Sequence, residues 1–177
     1  MIDNERVAYE AVLEAARKAG NRKDVEVLES FASYWPPKNF DELDFELDGK
    51  IARYKNKYNL GIGLDLLILM LSSPYYRLKD FGSFTVDLVH YHEPLVRYLY
   101  DEYNIHNFGT EYQIPVFYIM GINDYQTPYP LAKEFFEEIS ASVKNFFSIP
   151  DARHMTMTDN KKEFNRVLLE EIRPILE

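Results

Sequence analysis

Two polar residues in the last third of the chain have the types and spacing that acid–base chemistry needs. Asp124 comes four residues after the apolar run Ile114–Met120 (IPVFYIM), and His154 comes five residues after Lys144–Ile149 (KNFFSI). If both runs are strands of one parallel sheet, both side chains rise at the same edge. That edge lies outside the carboxyl ends of the strands, where open α/β sheets bind ligands. A carboxylate accepting from one imidazole nitrogen fixes the ring tautomer and stabilises the imidazolium. The other nitrogen is then left as a base, which is the acid–histidine half of a nucleophile–histidine–acid triad. A turn-capping aspartate and an unrelated loop histidine would have the same spacing, so spacing alone leaves both readings open.

The elements that must position these residues divide the chain near residue 112. Residues 1–112 read as helical. Asp3 caps a helix to Ala19, stopped by Gly20, with Val7, Ala8, Ala11, Val12, Ala15 and Ala19 on one face. A second helix runs from Lys23 to Ser33 with Val25, Leu28, Phe31 and Ala32 inward, ended by Trp35-Pro36-Pro37. A third spans Asp41–Lys57, capped by Asp41. Beyond Gly61 and Gly63, Leu64–Leu71 reads as a short buried helix, and Thr85–Tyr103 as a helix interrupted near Pro94. Residues 113–177 alternate instead. Ile114–Met120 suits a strand buried on both faces, and a turn at Gly121–Asp124 follows. Thr127 then caps a helix with Pro128 at its first position, burying Leu131, Phe135 and Ile139. Lys144–Ile149 is a second strand. A helix from Asn160, with Phe164, Val167, Leu168 and Ile172 inward, closes the chain. The fold class is α/β: a helical part followed by the β-α-β-α pattern of a parallel sheet with crossover helices.

The runs IPVFYIMGINDYQTP (Ile114–Pro128) and FFSIPDARHMTM (Phe146–Met157) resemble the carboxyl-terminal end of an α/β-hydrolase. The nearest branches are the proline-iminopeptidase-like and epoxide-hydrolase-like ones. The resemblance implies a partial α/β-hydrolase fold, with residues 1–112 as the helical cap or lid and 113–177 as the last two strands and helices of the core. It implies that Asp124 is the catalytic acid and His154 the catalytic histidine. Arg153 stands where the family usually has glycine before the histidine, which makes that loop bulkier.

The family's nucleophile sits in a G-x-S-x-G elbow upstream of the cap, with an oxyanion hole drawn partly from an earlier loop. No such elbow occurs here; only Ser83, in F-G-S-F-T, has a glycine beside it. The expectation is therefore roughly the second half of a hydrolase, inactive alone. The parent would be a serine hydrolase, an aminopeptidase or an esterase, acting on a peptide or small-molecule substrate. Two alternatives stand beside it: a non-enzymatic helical binding or assembly module, and one chain of a split hydrolase.

Weaker patterns point nowhere else. Gly61-Ile-Gly63 lacks a preceding strand and a third glycine, which argues against nucleotide binding. His90-Tyr-His92-Glu93 puts its imidazoles two residues apart, on nearly opposite sides of a helix, with no third ligand. No cofactor or metal is expected. The rings Tyr75, Tyr76, Phe81, Phe84 and Tyr91 are candidates for packing or for lining a substrate pocket; aromatics make up 15% of the chain. The net charge of −9, with acids spread along the chain, argues against a nucleic-acid partner. The chain has no cysteine, its amino terminus MIDNERVAYE lacks the pattern of a secretory signal, and the longest apolar run, Leu66–Leu71, is far short of the roughly 20 residues of a bilayer span. These features lead to the expectation of a cytoplasmic protein with no membrane partner. A strand as apolar as Ile114–Met120, missing its earlier neighbour, leads to the expectation of a homodimer through an exposed strand edge.

Overall fold

The computed structural model describes residues 2–32, 37–63, 65–77 and 93–176. The first helical elements are α1 (Ile2–Lys18), α2 (Arg22–Ser30) and α3 (Phe45–Lys57). They enclose a core of Tyr9, Val12, Ala16, Leu28, Leu47 and Ile51. The buried face of α1 is Ala8, Tyr9, Val12 and Ala16, so Ala19 is exposed and Tyr9 takes its place in the core. The reason is polar: the Tyr9 hydroxyl donates to the Leu28 carbonyl at 2.9 Å, which satisfies its one polar atom inside the cluster. Ala32, expected inward, is exposed as well.

Helix α3 starts later than its sequence suggests. Asp41 sits in a separate 3₁₀ turn (Phe40–Glu42), and the cap is Asp44, whose Oδ1 accepts from the Glu46 and Leu47 N–H groups at 3.0 Å each. Helix α4 (Asp65–Ser72) was expected to be buried, yet Ile68, Leu69 and Leu71 are 62%, 47% and 55% exposed. Helical residues 93–101 form α5. Pro94 lies within these helical residues. Ser33, Trp35, Pro36, Leu64, Phe81, Ser83, Phe84, Thr85, His90, Tyr91 and His92 lie outside the described residues; Tyr75 and Tyr76 are described and exposed.

From residue 111 the chain becomes α/β. Strand β1 (Glu111–Tyr112) leads into β2 (Val116–Gly121), helix α6 (Tyr129–Glu138) crosses over, and β3 (Ser140–Ala141) leads into β4 (Lys144–Ile149). The pairings β1–β3 and β2–β4 are both parallel, the second in register from Val116 opposite Lys144 to Gly121 opposite Ile149. Strand alternation sends Val116, Tyr118 and Phe146 to one face, where they pack on Phe135, Phe136 and Ile139 at α6. Phe117, Ile119 and Phe147 take the other face, against Val167 and Ile172 of the last helix. That helix begins at Asn160, whose side chain accepts from the Glu163 N–H. It runs as α8 (Lys161–Arg166), a π-wound stretch Val167–Ile172 and α9 (Arg173–Leu176). The wider winding puts Val167 and Ile172, five residues apart, on the buried side while Leu168, expected inward, is exposed. The short helix α7 (Thr156–Asp159) precedes it. Among the described residues no helix is long and apolar enough to cross a membrane.

Ile51 is fully buried at the centre of the α1–α2–α3 cluster. Ile51→Ala is expected to cost about 2–5 kcal/mol, whereas Leu69→Ala on the exposed face of α4 should cost less than about 0.5 kcal/mol. Urea denaturation of the two variants checks both values.

Candidate active site

The site lies where β2 and β4 end side by side. The next residues of each chain segment must leave the sheet in the same direction, and they bond to each other as they do. Ile122 N–H donates to Ile149 O at 3.1 Å and Asn123 N–H to Ala152 O at 3.0 Å. Asp151 takes a left-handed turn (φ 55°), a conformation aspartate tolerates, and sends the histidine loop back across the end of β2. Gly121 is what lets it cross. A Cβ there would lie 2.3 Å from both the Ala152 and the Arg153 carbonyl oxygens.

Asp124 is 3% exposed and both of its oxygens are engaged. Oδ1 accepts from the N–H groups of Gln126 and Thr127 at 3.0 Å each. Oδ2 accepts from the Thr127 hydroxyl at 3.0 Å and pairs with His154 Nδ1 at 3.0 Å. Four donors, one of them an imidazole, make a buried carboxylate tolerable. The Thr127 hydroxyl is also 3.3 Å from His154 Nδ1. Thr127 was expected to cap α6. Instead it closes this ring of hydrogen bonds, and Pro128 is the N-cap of α6, which has no side-chain cap hydrogen bond. The His154 side chain is 33% exposed, and Nε2 has no hydrogen-bond partner among the described residues. The hydrogen bond to Asp124 raises the imidazole pKa above its ordinary 6.5. Burial opposes that, the Asp124 charge adds to it, and the charge of Lys55 pulls it back down.

Arg153, the residue that departs from the hydrolase pattern, is bound to Asp159. Its guanidinium grips Asp159 of α7 through Nη2 (2.7 Å) and Nε (3.2 Å), and its own N–H donates to the same carboxylate at 2.7 Å. The helical part touches both loops. Tyr125 N–H donates to Leu60 O at 3.0 Å, and Gly63 (φ 78°) leaves room for the Arg153 guanidinium, which a Cβ there would meet at 2.2 Å. The loop carrying Leu60 and Gly63 follows directly on α3, so that loop touches both the acid loop and the histidine loop.

The structure thus brings the two sequence-predicted residues together. It gives Thr127, Gly121 and Arg153, which the sequence reading named only as a cap, part of a turn and a bulky neighbour, their places at the site, and it adds Asp159 and Lys55, which sequence reasoning missed. Lys55 had a legible signal: it takes the third place of the stripe Leu47–Ile51–Lys55, where helical spacing calls for an apolar residue. Among the described residues no group of three or more His, Asp or Glu side chains is placed to hold a metal ion. No family model, no curated protein and no solved structure matches this chain.

Two outcomes are expected at the site. Gly121→Ala should destabilise by about 1–3 kcal/mol, because backbone carbonyls rather than a flexible side chain occupy the space; thermal unfolding reads this. Asp124→Asn should lower the His154 pKa, read by NMR titration of the imidazole. The raised pKa means the pair stabilises the fold fully below pH 6.5 and loses that contribution as pH rises through the folded value. The stability gap between wild type and Asp124→Asn should therefore shrink as pH rises.

Proposed function

We propose that this chain carries the acid–histidine half of a serine hydrolase of the α/β-hydrolase type and is inactive alone. In the complete enzyme Asp124 orients His154. His154 Nε2 takes the proton from a serine hydroxyl as it attacks a carbonyl, then returns it to the leaving group. The observation that carries this reading is the Nδ1–Oδ2 hydrogen bond of 3.0 Å at the carboxyl ends of two adjacent parallel strands, with Nε2 left unpartnered among the described residues. A buried, fully bonded carboxylate holding one nitrogen of a partly exposed imidazole is the arrangement a general base needs. The nucleophile and oxyanion donors come from a segment bearing a G-x-S-x-G elbow, which this sequence does not contain.

The expected result with aminoacyl nitroanilides and nitrophenyl esters is no turnover above background. Incomplete triads owe their residual catalysis to the oxyanion hole and to binding. Turnover that vanishes in His154→Ala would mean that the chain holds its own nucleophile. The DNA upstream of the Met1 codon separates the versions: an in-frame elbow supports a fragment, and a neighbouring gene carrying one supports a split enzyme.

The reading has a consequence for assembly. Among the described residues β2 pairs only with β4, although Val116–Met120 is apolar on both faces. In a complete hydrolase an earlier strand would pair with the far edge of β2. In the isolated chain a second copy satisfies those backbone groups by edge-to-edge pairing about a two-fold axis. Light scattering at micromolar concentration is expected to give the dimer mass; a stable species at 20.9 kDa would overturn the pairing.

A further inference from the structure

Thr127 holds both oxygens of the Asp124 carboxylate by itself. Its N–H donates to Oδ1 and its hydroxyl to Oδ2, each at 3.0 Å. The Gln126 N–H adds a second donor to Oδ1, whereas Oδ2 has only the Thr127 hydroxyl and His154 among the described residues. The support is a stiff one: threonine is branched at Cβ, and Pro128 after it restricts its backbone. The protons decide the rest. A carboxylate has none to give, so the hydroxyl is the donor to Oδ2, and its oxygen keeps lone pairs that can accept. That oxygen lies 3.3 Å from His154 Nδ1. A proton on Nδ1 therefore meets two acceptors, Oδ2 at 3.0 Å and the threonine oxygen at 3.3 Å. A bare Nδ1 would draw the hydroxyl proton to itself and leave Oδ2, on a residue 3% exposed, without a donor.

We propose that Thr127 is a positioning residue, whose hydroxyl selects the tautomer of His154 with Nδ1 protonated and Nε2 bare. It does so in two ways. It pins Oδ2 in front of Nδ1, so the carboxylate cannot pivot about the oxygen that the two backbone N–H groups hold. It also accepts part of the same ring proton. Thr127 acts through Asp124 and His154 and needs no contact with a substrate. The proposal rests on the acid–histidine reading and adds to it the group that decides which ring nitrogen serves as the base.

The test is NMR of the full chain, isotopically labelled at the histidine ring nitrogens, at a pH where the His154 ring is neutral. Ring-nitrogen shifts report which nitrogen carries the proton. In wild type that nitrogen is expected to be Nδ1. Thr127→Val replaces the hydroxyl with a methyl of similar shape at an exposed residue, so it leaves no cavity. It should lower the ratio of Nδ1-protonated to Nε2-protonated rings about fivefold or more, the size of one net hydrogen bond. Thr127→Ser, which keeps the hydroxyl, should restore most of the ratio. A threonine with a merely structural role would lower the melting temperature in Thr127→Val and leave the tautomer unchanged. If Thr127→Val does not fold, Thr127→Ala takes its place. A bare Nδ1 in wild type, or the wild-type ratio in the variant without the hydroxyl, overturns the proposal. The acid–histidine reading fails separately, if Asp124→Asn leaves the His154 pKa where it was.

Discussion

The crossing of the histidine loop over Gly121 is the constraint on which the rest of the site depends. Two parallel strands in register deliver two loops to one edge, but register alone does not make them touch. Contact requires one loop to pass within bonding distance of the other's backbone. The bare Cα of Gly121 permits that, and the Asn123–Ala152 hydrogen bond holds it at 3.0 Å. Once the backbones are locked, the Asp124 and His154 side chains have little conformational freedom left to lose in meeting.

Electrostatics then decides what the pair can do. Asp124 is buried, but each oxygen has two donors, so it stays an acceptor rather than becoming a site of strain. His154 is held at Nδ1 and left without a partner at Nε2 among the described residues. The imidazole pKa is set by a balance: the Asp124 hydrogen bond and charge raise it, and burial and Lys55 lower it. The loop after α3 is fixed to both loops of the site, at Tyr125 and at Arg153.

Arg153, next to His154 in the chain, is held by contacts on two sides. Its guanidinium is drawn to Asp159 on one side and into the space left by Gly63 on the other. The two contacts tie the histidine loop to α7 and to the loop after α3.

Much of this protein is determined by local sequence. Strand period, the apolar runs at Ile114–Met120 and Lys144–Ile149, and the turns after them place Asp124 and His154 at matching heights, because strand and turn geometry depend on residues close together in the chain. The helices follow for the same reason, although competing caps a few residues apart, Asp41 and Asp44, leave the start of α3 open until the chain is folded. What only the tertiary structure decides is which groups meet across distance. Thr127 gives up the helix cap for Asp124 because His154 arrives beside it. On α4, Ile68, Leu69 and Leu71 stay exposed because no described residue covers them. Lys55 is buried in the folded chain although it stands on a stripe that local periodicity assigns to apolar residues. Each of these outcomes turns on a contact between segments far apart in sequence, and periodicity and spacing hold no information about such contacts.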